Sequence, residues 1–154
     1  MAANTTVVRG PVVLTTEGRA WVEQRVARGH ERLARIDADL AAERTEELVT
    51  AREQLREQLD ELEVVLRDAL SPADIADDPT IVELGDEVEV EFPDGDREAF
   101  LIVHPIEAGM DEHRTSSDSP LAEAVRGHRP GDTVTVRSPA GEYQCTIVRH
   151  ERIG

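Results

Sequence analysis

Cysteine is almost absent from this sequence, which contains Cys145 alone. A single cysteine excludes an internal disulfide framework and any zinc or iron–sulfur site built from several cysteines. The chain therefore suits a reducing compartment, and we expect a cytoplasmic protein. Because Cys145 falls in an alternating stretch of apolar and polar residues, we expect it to be a small buried apolar residue rather than a nucleophile.

Aromatic residues are also scarce, at 3% of the chain. They are Trp21, Phe92, Phe100 and Tyr143. Apolar residues make up 39% and charged residues 32% of the 154 positions, which leaves little material for one thick core. A chain of this length forms one ordinary domain or two very small ones, and a large two-lobed enzyme is excluded. We expect part of the chain to be extended.

The sequence also lacks long apolar runs, and it has fewer basic than acidic residues. No stretch approaches the roughly 18 apolar residues of a membrane span, and residues 1–10 contain no apolar core of a signal peptide. We therefore expect a soluble, unsecreted protein. The 33 acidic residues outnumber the 17 basic ones, all of them arginine, and give a formal charge of −16. This charge repels a phosphate backbone, so direct binding of nucleic acid is disfavoured.

The spacing of apolar residues divides the chain into two parts. Residues 16–70 have the period of helices, whereas residues from 81 onward have mostly the period of strands. The segment 71–80 between them contains two prolines and three aspartates, which is typical of a linker. We therefore predict an α+β protein with one domain at 1–76 and a second at 77–154.

Two apolar stripes predict two helices in the first domain. The first stripe comprises Val22, Val26, Gly29, Leu33, Ile36 and Leu40, and the second comprises Leu48, Arg52, Leu55, Leu59, Leu62, Leu66 and Ala69. The phase slips between the stripes, which favours an antiparallel coiled-coil hairpin. Thr15 or Thr16 would cap the first helix and Thr45 the second. One long helix that dimerises through its stripe is the alternative.

The turn of the predicted hairpin is acidic. Its carboxylates are Asp37, Asp39, Glu43, Glu46 and Glu47, and Arg44 is the only basic residue among them. One interpretation is a solvated helix end, since acidic residues are favourable in a first turn. The other is that carboxylates at the end of a narrow rod provide oxygen ligands to a divalent cation, above all Mg²⁺, that another protein holds in its active site.

Alternation of apolar and polar residues predicts strands in the second domain. Val88, Val90 and Phe92 alternate with polar residues up to a turn at residues 93–96, which is a hairpin signature. Ser119 and Pro120 begin a short helix that ends at Gly127. A second strand pair follows, in which Tyr143, Cys145, Ile147 and Arg149 are expected on one face. The economical fold is a small antiparallel sheet with one helix packed on it.

These residues resemble a known family, the bacterial transcription-elongation factors GreA and GreB. The strongest similarity lies in residues 116–122, 131–136 and 138–143, which read SSDSPLA, GDTVTV and SPAGEY. Weaker matches are LTTEG at 14–18 and AREQ at 51–54. The resemblance implies an FKBP-like second domain that docks at the rim of the secondary channel of RNA polymerase while the hairpin enters that channel.

The resemblance also implies which residues act. In cleavage-stimulating members, an Asp and a Glu three residues apart at the tip help to bind Mg²⁺ in the polymerase active site. Ungapped alignment on residues 51–54 puts Ala41 and Arg44 at those positions, so both ligands are lost. Two carboxylates could still come from Asp39 with Glu43 or from Glu43 with Glu46. For docking, the resemblance implies a second set of residues, which are Ser116, Asp118, Ser119 and Pro120.

The favoured hypothesis is a divergent Gre-type factor that binds RNA polymerase core, is not itself an enzyme, and modulates or inhibits transcription. Its tip carboxylates, Asp39, Glu43, Glu46 and Glu47, would contact the Mg²⁺ held by the polymerase. The alternatives are a GreA-like stimulator of transcript cleavage and an adaptor for an unrelated protein such as a nucleoside diphosphate kinase. We expect a monomer with no cofactor, no catalytic residues and no membrane contact.

The histidines do not suggest a metal site of the chain's own. His30, His104, His113, His128 and His150 lack the spacing of helical metal ligands. We expect these histidines to be solvated or packed.

Overall fold

The computed structural model describes residues 12–75 and 78–153. The chain divides into a hairpin unit, Arg19–Ala69, and a sheet unit made of residues 12–18 and 70–153. Residues 12–18 join the sheet unit because Val13 pairs with Leu70 in an isolated parallel bridge, flanked by a hydrogen bond from the Leu14 amide to the Leu70 carbonyl. The domain boundary predicted between residues 76 and 77 lies outside the described residues.

Two helices separated by a three-residue turn account for the first half of the chain. They are α1 (Thr16–Ala42) and α2 (Glu46–Asp68). The Thr15 hydroxyl accepts a hydrogen bond from the Gly18 amide at 2.9 Å, and the Thr45 hydroxyl accepts one from the Leu48 amide at 3.1 Å. Both predicted caps are confirmed. The alternative of one uninterrupted helix is excluded because the chain turns at residues 43–45.

The two helices pack antiparallel along their leucine stripes. The residues of the seam are Val26, Ile36, Leu55 and Leu59, with Leu33, Leu40, Leu48, Ala51, Leu62 and Leu66 packed around them. Gly29 allows close approach, since a Cβ there would lie 2.3 Å from Leu59 Cδ2. Arg52, the one arginine in the stripe, pairs with Asp37 across the hairpin at 2.6 Å. The predicted helical hairpin is confirmed.

The sheet has five strands in the order β3-β2-β1-β5-β4. They are β1 (Asp86–Glu91), β2 (Arg97–Val103), β3 (Arg114–Ser116), β4 (Thr133–Ser138) and β5 (Gly141–Arg152), and α3 is Pro120–Val125. Short 3₁₀ turns occupy Pro72–Ile75 and Pro105–Glu107. The small sheet with one helix is confirmed, and its strands pair antiparallel as predicted except at one edge, where β3 returns after a connection and pairs parallel with β2.

A β-bulge changes which side chains of β5 face the core. Glu89 pairs with Arg149 and the next residue, Val90, pairs with Ile147, so Val148 is the extra residue on β5. Cys145 and Ile147 are buried as predicted. Arg149 does not share their face, because the bulge reverses the alternation; it is exposed and pairs with Glu89 at 2.8 Å.

The core of the sheet unit lies between the inner face of the sheet and α3. Its buried members are Val13, Val82, Leu84, Val88, Val90, Phe100, Ile102, Ala122, Val125, Val134, Val136, Cys145 and Ile147. Burial raises the pKa of the Cys145 thiol, which opposes formation of the thiolate. Its position agrees with the expectation of a packed apolar residue.

Candidate functional site

The tip of the hairpin presents four carboxylates on three consecutive pieces of chain. Asp39 belongs to the last turn of α1, and the amide of Glu43, just beyond the helix, donates to the Asp39 carbonyl at 2.9 Å. Glu46 and Glu47 form the first turn of α2, where the helix dipole favours negative charge. All four of these residues are exposed.

Four of the five tip carboxylates have no side-chain partner among the described residues. Over residues 12–75 and 78–153, Asp39, Glu43, Glu46 and Glu47 enter no side-chain hydrogen bond or ion pair, whereas Asp37 is neutralised by Arg52. No group of three or more His, Cys, Asp or Glu side chains in the described part of the chain is placed to hold a metal ion. Within the described residues, the four tip carboxylates are therefore exposed and do not form a metal site of their own.

Arg44 lies in the turn between the helices. It is exposed, and among the described residues it forms no ion pair despite its acidic neighbours. Its side chain borders two shallow depressions at the tip, one beside Thr45 and one beside Ala41. A guanidinium thus occupies the turn beside the four carboxylates, and Ala41 supplies no ligand.

The loop from β3 to α3 contains the four predicted docking residues. The Ser116 hydroxyl donates to the Asp118 carboxylate, and the Ser119 amide donates to the Ser116 carbonyl at 2.9 Å. The Ser119 hydroxyl accepts from the Ala122 amide at 3.2 Å, so this serine is the predicted cap, and Pro120 is the first residue of α3. Asp118 and Pro120 are exposed. These contacts fix the loop and leave Asp118 and Pro120 on its surface.

His104 lies close to this loop, which the sequence did not indicate. Burial lowers the pKa of the imidazole, although the charges of Glu107 and Asp118 act in the opposite direction. Its Nδ1 atom accepts a hydrogen bond from the Ile106 amide at 3.1 Å, which fixes the neutral tautomer with the proton on Nε2. His104 is therefore a partly buried, packed histidine, which is one of the two states expected for the histidines.

One flank of α1 is basic, a feature that the net charge conceals. Arg25, Arg28 and Arg32 border a groove of about 490 Å³ whose floor includes Leu59 and Leu62. The guanidinium of Arg25 also lies 5.0 Å from the centre of the Trp21 ring. A helical plot of the sequence, rather than a count of charges, would have identified this flank.

The helices do not include a candidate membrane span. Within the described ranges, none combines the length and the apolar character that crossing a bilayer requires.

The chain combines a helical hairpin, which has carboxylates at its turn, with a small sheet unit that contains one helix. These two units define the class of protein, and comparison with known proteins identifies the family. Residues 77–152 match the model of the transcription elongation factor GreA/GreB C-terminal domain. GreA of Geobacillus kaustophilus is 36% identical over 136 residues, which are 87% of this chain and 82% of that protein. The chain belongs to the GreA/GreB family.

Further relatives match over less of their length or less closely. GreA of Bacillus cytotoxicus is 39% identical over 92 residues, so the match spans 58% of that protein and 59% of this chain. The crystal structure of Thermus aquaticus Gfh1 is 26% identical with a TM-score of 0.43, and the match covers 92% of this chain and 98% of that one. The GreA/GreB factor of Nitrosomonas europaea is 18% identical with a TM-score of 0.41, covering 90% of this chain and 98% of that one.

Proposed function

We propose that this chain is a Gre-type factor that binds RNA polymerase through its secondary channel and inhibits RNA synthesis. The observation that carries the proposal is the tip itself. Within the described residues, four carboxylates are exposed there without side-chain partners. Ungapped alignment to the family pattern puts Ala41 and Arg44 where cleavage-stimulating members have their Asp and Glu, and the alignment shifted onto Asp39 puts Ala42 at the Glu, so neither alignment restores the pair. The tip therefore keeps the negative charge of an active Gre factor without the pair of ligands that stimulates cleavage.

Docking is the first step of the proposed mechanism. The loop of Ser116, Asp118, Ser119 and Pro120 would contact the rim of the channel. Its internal hydrogen bonds hold the exposed Asp118 and Pro120 in one arrangement before binding, so little conformational entropy is lost on docking. Ser119 would then be both the N-cap of α3 and part of the contact with the polymerase.

Reach is the second step. With 27 residues in α1 and 23 in α2, each arm extends roughly 35–40 Å at about 1.5 Å per residue. A pair of helices of this length is long and narrow enough to enter a channel. The close approach of the helices at Gly29 keeps the rod thin.

The tip acts in the third step. Asp39, Glu43, Glu46 and Glu47 would add ligands to the Mg²⁺ that the polymerase holds, or would occupy the path by which nucleotides enter. Either action lowers RNA synthesis without a chemical step on this chain, so we propose that it is not an enzyme and holds no cofactor. Arg44 would repel the cation and so disfavour the geometry needed for cleavage.

A transcription assay with purified core polymerase tests the proposal. Added protein is expected to lower RNA output at saturating nucleotide concentrations and to be retained by immobilised polymerase. It is expected to leave the RNA of stalled complexes at its original length. Unchanged output together with no retention on the polymerase would refute the proposal.

Stimulation of transcript cleavage is the second candidate. It is favoured by the spacing of the tip residues, because Asp39 and Glu43 lie one helical turn apart and Glu46 begins the facing helix. These carboxylates could replace the missing pair. Shortening of RNA in stalled complexes within minutes of addition would establish this activity instead of inhibition.

The remaining parts of the proposal concern the state of the protein. We propose that it acts as a cytoplasmic monomer that does not retain free nucleic acid, since its charge of −16 opposes polyanions. Sedimentation at micromolar concentration should give the mass of one chain. A filter-binding assay with single-stranded RNA at physiological salt tests whether the protein binds free nucleic acid. Retention of the RNA by the protein would contradict this part of the proposal and would assign a role to the basic flank of α1.

A further inference from the structure

Glu107 is a fully buried carboxylate that the proposed mechanism does not use. It ends the 3₁₀ turn after β2, and its side chain is 0% exposed. One of its oxygens accepts a hydrogen bond from the Thr15 amide at 2.8 Å, and the other accepts one from the Thr15 hydroxyl at 2.7 Å. A buried carboxylate is tolerated only where such partners replace water. Both carboxylate oxygens of Glu107 are therefore hydrogen-bonded to Thr15, which lies 92 residues away in the sequence.

The contact with Glu107 also orients the helix cap. The Thr15 hydroxyl donates its only proton to Glu107, so its lone pairs are left for the Gly18 amide, from which it accepts at 2.9 Å. Without Glu107 this hydroxyl would be free to rotate and to donate elsewhere. The carboxylate thus acts on α1 through Thr15.

Gly18 supplies the space that Glu107 needs. A Cβ at this position would lie 2.0 Å from Glu107 Cδ and 2.2 Å from its Oε1 atom. The residue lies inside α1, where the backbone does not itself require glycine. The absence of a side chain at position 18 is therefore explained by the carboxylate rather than by conformation. Any larger residue would displace Glu107 or the first turn of the helix.

Arg114 connects the same carboxylate to β3. Its side chain is 7% exposed, and its Nε atom lies 3.6 Å from Glu107 Oε1 and has no hydrogen-bond partner among the described residues. Its terminal nitrogens pair with Asp111 and, at 3.3 Å, with Glu17 in the first turn of α1. Arg114 therefore faces α1 both through Glu107 and directly through Glu17. It begins the strand that ends at Ser116, the first of the docking residues.

We infer that Glu107 is a positioning residue, which holds the first turn of α1 against β3 within the sheet unit, so that the Ser116–Pro120 loop and the start of α1 are held by one set of contacts. This inference rests on the proposed function, because that loop is the docking element and the hairpin is the acting one. Glu107 itself touches neither the polymerase nor its metal ion. It acts through Thr15, Gly18 and Arg114.

Hydrogen exchange of the Gly18 amide in the full-length protein tests directly whether Glu107 stabilises the first turn of α1. Glu107→Gln and Thr15→Val are each expected to accelerate its exchange about tenfold, the effect of a lost helix cap. In Gly18→Ala, the amide at position 18 is expected to lose the same protection relative to its own intrinsic exchange rate. Thr15→Ser keeps the hydroxyl and is expected to restore wild-type exchange. The matched controls are Thr16→Val, at an exposed neighbour, and Gly109→Ala, where a Cβ meets nothing within 4 Å. Unchanged exchange in Glu107→Gln would overturn the inference.

A dose–response measurement of transcription tests the coupling. In Thr15→Val and Glu107→Gln, the maximal inhibition at saturation is expected to fall at least about threefold, while the half-inhibitory concentration stays within about twofold, because the docking loop is intact. Thr15→Ser should recover the full inhibition. Equal maximal inhibition in wild type and variants would overturn the coupling. If the wild type neither binds nor inhibits the polymerase, the proposed function fails, and the exchange experiment still decides whether Glu107 holds the helix.

Discussion

The two ends of α1 lie beside carboxylates in opposite environments. At the tip, Asp39 and Glu43 are exposed and have no partners within the described residues. At the base, Glu107 is buried and bonded twice to Thr15. The same chemical group therefore has a structural role beside the start of the helix, and we propose that it presents ligands at the tip. What differs is burial and the supply of internal donors, since Glu107 is shielded from solvent and bonded to Thr15, whereas the tip carboxylates face solvent.

Removing the charge partner of Glu107 is expected to give the largest effect. Arg114→Met leaves a buried carboxylate facing an apolar side chain, and we expect the free energy of unfolding to fall by about 2–3 kcal/mol. Urea titration followed by circular dichroism measures this change. Arg137→Met is the matched control, because Arg137 is 80% exposed and its pairing with Glu142 contributes at most about 0.5 kcal/mol. Equal stability of the two variants would show that the ion pair of Arg114 with Glu107 contributes no more to stability than the exposed pair of Arg137 with Glu142.

The second largest effect on stability is expected in the apolar seam between α1 and α2. Gly29→Ala improves helix propensity by about 1 kcal/mol but places a Cβ against Leu59, so we expect a net loss of about 1–2 kcal/mol. Thermal unfolding monitored at 222 nm provides the measurement. A higher melting temperature in this variant would mean that Leu59 moves aside and that the close approach of the helices is not required.

A smaller effect is expected at the turn. Thr45→Ala removes the hydroxyl that accepts from the Leu48 amide, with an expected cost of about 1 kcal/mol. Thr50→Ala, at an exposed position inside α2, should stay within about 0.5 kcal/mol of wild type. Amide exchange at Leu48 reports the loss locally. If both variants exchange alike, the cap does not define the tip.

Local signals in the sequence predicted local structure correctly. Thr15, Thr45 and Ser119 were identified as caps because a cap bonds to an amide only a few residues away. The leucine stripes predicted the hairpin because the helical period and the phase slip are both read over short windows. The four tip carboxylates followed from the same reasoning, since the position of the turn makes them exposed.

Contacts between distant residues escaped prediction. The parallel pairing of β3 with β2 depends on the path of a connection that has no period of its own. The bulge at Val148 moves Arg149 to the other face without any glycine or proline to signal it. The partnership of Glu107 with Thr15 spans 92 residues, and nothing in the segment around Glu107 indicates it. The same applies to Gly18, whose small size is explained only by that partner.

The most direct test of the account compares two variants with the same change of charge. Asp39→Asn, Glu43→Gln, Glu46→Gln and Glu47→Gln together neutralise the tip. Asp60→Asn, Glu53→Gln, Glu57→Gln and Glu61→Gln together neutralise four exposed carboxylates along α2. In a transcription assay at saturating nucleotides, the tip variant is expected to lose inhibition and the α2 variant to retain it. Equal inhibition by both variants would contradict the claim that the tip carboxylates carry the activity.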